Sequence, residues 1–209
     1  MKPFGCRNQT IVFILFVALA TCYCTSKNYL VVHYQLPSET LTAEDTRVSL
    51  IFKDQRAEQA VVTQSARMAL KNFEDNFALV VAGDNKNERL MGAFNLCSMM
   101  KTIFKQRFEN AGIRVAPDTE TQPIAIEVSL KEFKIDLVKR KWVVQITYQA
   151  NLLRQNRFEG GQTISGNAER LHVVGGKDAE KVIGELITDA VNRLNLDELF
   201  QSTHSQALR

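Results

Sequence analysis

The sequence predicts an α+β fold: a mainly antiparallel sheet with two helices packed on one face. Three observations lead there. Residues 124–170 alternate apolar and polar side chains with period two, in three segments joined by hairpin-length turns. Residues 95–111 and 178–195 instead repeat apolar side chains at three- and four-residue spacing. No internal repeat and no Pro- or Gly-rich linker interrupts residues 47–200, so a single domain is expected there.

In chain order, residues 1–21 read as a secretory signal. Lys2 and Arg7 precede the unbroken apolar run Ile11–Ala20, and polar sequence follows at Thr25 and Ser26. Ten residues rise about 15 Å as a helix, half of the ~30 Å hydrocarbon core, which is short for a permanent span. Two cleavages compete. Ala18-Leu19-Ala20 would release a chain starting at Thr21, whereas Leu19-Ala20-Thr21-Cys22 resembles a lipobox that acylates Cys22. Thr at the position before the cysteine is where the lipobox usually has Gly, Ala or Ser.

Residues 22–46 read as a leader or tether, with Tyr29–Leu36 a plausible edge strand. The first firm strand is Arg47–Lys53, with Val48, Leu50 and Phe52 on one face. Residues 57–92 are hardest to read: Ala57–Lys71 has helix-forming composition, and Phe77–Ala82 reads as a strand within a long excursion.

The helix over 95–111 carries Cys97, Met100, Phe104, Phe108 and Ala111 on one stripe, with Asn95 as cap and Gly112 as stop. The strand from Ile124 runs through Phe133, Ile135 and Leu137 to the basic turn Lys139-Arg140-Lys141. The next strand points Trp142, Val144, Ile146, Tyr148, Ala150 and Leu152 one way, and Gln145, Thr147, Gln149 and Asn151 the other. A weaker strand spans Gln162–Arg170. The last helix, from Asp178 to Asn195, buries a stripe from Ala179 to Leu194, and residues 201–209 are a polar tail expected to fray.

Composition excludes several function classes. The net charge of +3 falls to +1 once Lys2 and Arg7 leave with the signal, too balanced for a nucleic-acid binder. The only histidines, His33, His172 and His204, lie far apart, so no metal site is expected, and no cofactor motif is found. Gly-x-Ser-x-Gly, His-Glu-x-x-His and Cys-x-x-Cys are absent, and the chain is read as a non-enzyme. Asp54 and Arg56 are read as a structural pair, Cys97 as a small buried hydrophobe, and Lys139-Arg140-Lys141 as a solvated turn that discourages edge pairing.

Val48–Phe52 leading into Asp54-Gln55-Arg56, the helix Cys97–Phe108 closed by Ala111-Gly112-Ile113, Gly166 with Ala168-Glu169-Arg170, and Asp189-Ala190-Val191-Asn192 together resemble the YajG-like lipoproteins of Gram-negative bacteria. The resemblance implies a lipid anchor at Cys22 in the outer membrane, facing the periplasm, and no enzymatic role. The excursion over 57–92 is longer than that pattern. The expected function is binding or assembly with another envelope protein, through an interaction surface at Gln145, Thr147, Gln149 and Asn151. The alternative is a soluble periplasmic carrier holding a small lipid-like molecule between helices and sheet.

Overall fold

The computed structural model describes residues 29–38, 46–83, 87–173 and 176–201. The signal, Cys22 and the tail beyond residue 201 lie outside the described residues. The strands are β1 (Tyr29–Gln35), β2 (Arg47–Asp54), β3 (Asn76–Ala82), β4 (Glu88–Asn95), β5 (Arg114–Val115), β6 (Ile124–Val138), β7 (Lys141–Arg154) and β8 (Arg157–Leu171). The helices are α1 (Gln64–Ala69), α2 (Leu96–Asn110), α3 (Lys177–Asn192) and α4 (Leu196–Gln201).

The fold is α+β, and the two long helices pack on one face of a sheet as the periodicity requires. That sheet has five strands in the order β5-β2-β6-β7-β8. Its apolar face meets α2 through Phe104, whose ring lies 6.4 Å from Phe52 and 5.0 Å from Tyr148. It meets α3 where the buried Tyr148 hydroxyl donates to the Ala190 carbonyl at 3.0 Å. Asn95 caps α2 as expected, its side chain accepting from Ser98 N–H at 2.9 Å. The buried stripe is wider than predicted, since Leu96, Met99 and Ile103 are enclosed with Met100, Phe104 and Phe108. Cys97 itself is only partly buried.

A β-bulge explains an oddity of the sequence. Ile126, Val128 and Leu130 face the core, yet so do Phe133, Ile135 and Leu137. The phase changes because the β6–β7 register shifts between Leu130 and Glu132. Beyond the bulge β2 no longer borders β6, and Val62 takes the edge in a parallel bridge to Ile135.

Two expectations are corrected. The sheet is not single: a second one, of order β1-β3-β4, lies alongside, with Phe77 meeting Phe133 edge-on at 6.4 Å. The pairing is mainly antiparallel, as expected, while β1–β3, β2–β5 and β2–β6 are parallel. These pairs join segments far apart in sequence, and such pairing has no local turn to announce it. Residues 29–35, read as part of a leader, are therefore a core strand with Leu30, Val32 and Tyr34 buried.

The free edge of β1 is covered by α3. Val31 N–H donates to Glu180 Oε1 at 2.9 Å, and Gln35 N–H to Thr188 Oγ1 at 3.1 Å. Between them Gly184 faces the strand, and a Cβ there would stand 2.7 Å from the His33 carbonyl oxygen. Only glycine allows the helix so close to a strand backbone.

Phe104 is fully buried at the meeting point of α2 and the large sheet. Phe104→Ala is expected to cost about 3–5 kcal/mol by removing that ring. Lys101→Ala, on the wet side and paired with exposed Asp118, is expected to cost under about 1 kcal/mol. Urea unfolding of both variants checks this, and equal midpoints would show the assigned helix face to be wrong.

Candidate functional site

The outer face of the large sheet is built by the residues of β6, β7 and β8 that point away from the helices. Gln145, Thr147, Gln149 and Asn151 stand in a row on β7, as period two dictates. They are half-buried rather than fully exposed, because β7 is an inner strand flanked on both sides. Cross-strand neighbours extend the row into a patch. Thr147 faces Glu132 and Ser165, Gln149 faces Ser129 and Thr163, and Gln145 faces Lys134 and Asn167. Sequence reasoning missed these partners, and the signal for them was available: the same alternation places Thr163, Ser165 and Asn167 together on β8.

The hydrogen bonding of this face is uneven. Thr147 Oγ1 lies 3.3 Å from Glu132 Oε2 and 3.1 Å from Ser165 Oγ, so its one proton serves one of them. Among the described residues the side chains of Gln145, Gln149, Thr163 and Asn167 make no hydrogen bond, which leaves two amides and their neighbours free to pair with something else. Asn151 differs. Its Oδ1 is buried without a partner, and a Cβ on Gly161 would stand 2.3 Å from it. Asn151 thus belongs to the packed end of the row, and Gln145 to Gln149 form its open part. Lys53 and Glu127, paired at 2.6 Å, border that packed end.

One cluster has the outline of a catalytic site. Asp54 accepts from Arg56 Nε at 2.9 Å and from Arg56 Nη2 at 2.8 Å, and Cys97 Sγ lies 3.4 Å from Asp54 Oδ2. The electrostatics are the reverse of those a nucleophilic thiol needs. Burial pushes the Cys97 thiol up, and the Asp54 carboxylate raises it further, against a smaller opposing effect of Arg56. A protonated thiol is a poor nucleophile. The pair Asp54–Arg56 is structural, with Arg56 almost fully enclosed and also donating to the Gln59 carbonyl. Among the described residues no three His, Cys, Asp or Glu side chains are placed to hold a metal ion. No helix among them is long and apolar enough to cross a membrane.

The space between helices and sheet, where a carrier would hold its cargo, is occupied by Phe104, Phe108, Trp142 and Tyr148, all fully buried. The polar ends of these residues have partners too: Trp142 Nε1–H donates to His172 Nδ1 at 3.2 Å. The larger clefts are on the surface. One of about 640 Å³ runs between β1 and α3, lined by His33, Gln35 and Lys181 among others.

The chain matches no protein-family model and no curated protein sequence. Its fold is similar to that of protein XCC0632 from Xanthomonas campestris, of the DUF330 family, with a TM-score of 0.53 and 15% identity over 86% of this chain and 99% of that one. Looser likenesses include a neuraminyllactose-binding hemagglutinin homolog from Helicobacter pylori, at TM-score 0.47 and 6% identity over 87% and 100% of the two chains. Lipoprotein GNA1162 from Neisseria meningitidis follows at 0.30 and 11%, over 71% and 97%. The first likeness bears on the fold alone, and it spans both sheets.

The Asp54–Arg56 pair makes stability depend on acid. The Arg56 hydrogen bonds hold the Asp54 carboxyl below its usual range, outweighing the desolvation that pushes it up. A carboxyl depressed in the folded state adds stability above its unfolded pKa of about 3.9, and that stability is lost as pH falls through the folded value. Asp54→Asn is therefore expected to lower the melting temperature at neutral pH and to flatten its fall below about pH 4. Melting curves from neutral to acid pH for both proteins check this, and parallel pH profiles would remove Asp54 from the account.

Proposed function

We propose that this chain is an exported, lipid-anchored protein of the bacterial cell envelope, akin to the YajG-like lipoproteins, that binds another envelope protein without turnover. The anchor is Cys22, and the location is the periplasmic face of the outer membrane. The observation that carries the binding reading is the outer sheet face, where Gln145 and Gln149 stand unengaged beside Thr163 and Asn167. A neutral row of amides and hydroxyls suits the backbone and polar side chains of a protein partner. A charged ligand would call for a free Arg or Lys there, whereas Lys134 opposite Gln145 is paired with Glu58. The protonated Cys97 thiol and the filled core favour binding over catalysis or carriage.

Two experiments test the two halves of this reading separately. For the anchor, the mature protein is expected to begin at acylated Cys22 and to partition into detergent, since buried acyl chains contribute about 0.8 kcal/mol per CH₂. Cys22→Ser then releases the chain into the soluble fraction or blocks its processing, whereas an intact mass starting at unmodified Thr21 overturns the anchor.

For the surface, a photoreactive group at Gln149 is expected to yield one discrete protein adduct in envelope extracts, with none from the same group at Lys181 on α3. Thr147→Glu, which charges the same face, should abolish that adduct. Equal labelling from both positions counts against the face. Retention of a small molecule by the purified protein in native mass spectrometry, with no adduct, replaces the binding reading by the carrier.

A further inference from the structure

The small sheet keeps an apolar face in solvent. Leu30, Val32 and Tyr34 of β1 and Phe77, Leu79 and Val81 of β3 are buried in the core, so the residues between them point outward. The outward set is Val31 on β1 and Ala78, Val80 and Ala82 on β3. Strand β4 adds Ala93 opposite Ala78 and Leu90 opposite Val80. Leu90 is 67% exposed, Ala93 is exposed, and Val31, Val80 and Ala82 are half-buried.

The sequence of β3 calls for a cover on this side. Every residue from Phe77 to Ala82 is apolar, the pattern of a strand buried on both faces, whereas a strand wet on one face alternates. The large sheet supplies the contrast. Its parallel pair β2–β6 also has an open outer side, and there Ser49, Lys53, Glu127 and Ser129 point outward, as solvent requires. The outer side of β3 carries no polar residue between Phe77 and Ala82.

Shape, size and charge select what covers it. The middle strand offers only Ala78, Val80 and Ala82, while longer side chains border them, His33 and Gln35 on β1 and Leu90 and Glu88 on β4. The cross-section is a trough, and a flat bilayer or a flat second sheet would leave its floor uncovered. Three strands span about 14 Å and seven residues about 23 Å, an area of about 320 Å². That is less than half of the ~800 Å² that each partner buries in a stable dimer. A helix is about 10 Å across, and 16 residues of it run about 24 Å, the dimensions of the trough. On these rungs the ionisable side chains are His33 and Glu88, 3.7 Å apart, so no free charge draws a headgroup or an ion.

We infer that this trough is the docking site of one amphipathic helix from a partner protein, its apolar stripe lying along β3 between Val31 and Leu90. The same molecule covers its other apolar sheet face in this way, with α2 and α3 on the large sheet. An apolar floor within a polar rim is the ordinary anatomy of a protein interface. The site is separate from the polar face at Gln145 to Gln149 and does not depend on the anchor.

Random 16-residue peptides displayed on phage test this. They are selected on the mature chain carrying Cys22→Ser and depleted on the same chain with Leu90→Glu and Ala93→Glu, two exposed positions outside the core. Enriched peptides are expected to repeat apolar residues at three- and four-residue spacing. The tightest of them, made synthetically, is expected to gain helical circular dichroism on binding and to bind the doubly substituted chain at least about tenfold more weakly. Phe158→Glu, at a side chain of similar exposure on β8, should leave binding unchanged. Circular dichroism melts verify that each variant is folded. Enriched peptides with period-two alternation or no stripe, or affinity indifferent to Leu90→Glu with Ala93→Glu, overturn the inference. So does a dimer in sedimentation equilibrium, or binding to phosphatidylcholine vesicles, that the same two substitutions abolish, since a second copy or a bilayer is then the cover. None of these results touches the Gln149 face or the anchor.

Discussion

Helix α3 holds two sheets at once, and most of the architecture depends on how closely it can approach them. One side of the helix lies along the open edge of β1, and another covers β7 and β8, where Ala190 accepts from Tyr148 and Leu186 presses on Gly166. The edge contact requires Gly184, because any side chain there meets the His33 backbone. Glu180 and Thr188 then take two of the strand's outward N–H groups, those of Val31 and Gln35. The same contact removes a sheet edge that a second chain could use for pairing. Tyr34 extends the joint by donating to Asn192 at 2.9 Å. Burial raises its hydroxyl pKa far above the usual phenol, so this donor keeps its proton.

What could be read in advance divides along the line between local and non-local contacts. Helices α2 and α3 and strands β6 and β7 were legible because a periodic stripe is a property of neighbouring residues. Even the bulge left a trace, in the change of phase between Leu130 and Phe133. The small sheet showed two of its strands, at Tyr29–Leu36 and Phe77–Ala82, but not their pairing. β1 and β3 are more than forty residues apart, and nothing in Tyr29–Gln35 names Asn76–Ala82 as its partner. The sequence of β3 does carry one hint, a nearly continuous apolar run, which suits a strand with neighbours on both sides. Strand β4 is less legible still. Gly92 sits where its register with β3 shifts, and Leu90 is exposed, so its apolar alternation is broken twice.

The candidate face shows the same division. That Gln145, Thr147, Gln149 and Asn151 share one side of β7 follows from period two alone. Their differing roles follow only from the neighbouring strands. Asn151 meets Gly161 and is enclosed, whereas Gln149 meets Thr163 and stays available. Cys97 teaches a similar lesson. A cysteine on a helix stripe is expected to be apolar filler, yet here it turns its S–H toward Asp54 at the stripe's margin, because β2 brings that carboxylate across from a distant part of the chain.

The parallel pairing of β1 with β3 has a mechanical side. The strand is held along its whole length by seven residue pairs on one flank and by side chains of α3 on the other. Tension applied ahead of Tyr29 and directed along the strand loads those bonds together, in shear, rather than peeling them one by one. A strand loaded in shear yields only when many bonds fail at once, and rupture under force is governed by the height of the unfolding barrier. The first strand among the described residues is thus also the one best placed to resist a pull on the chain before it.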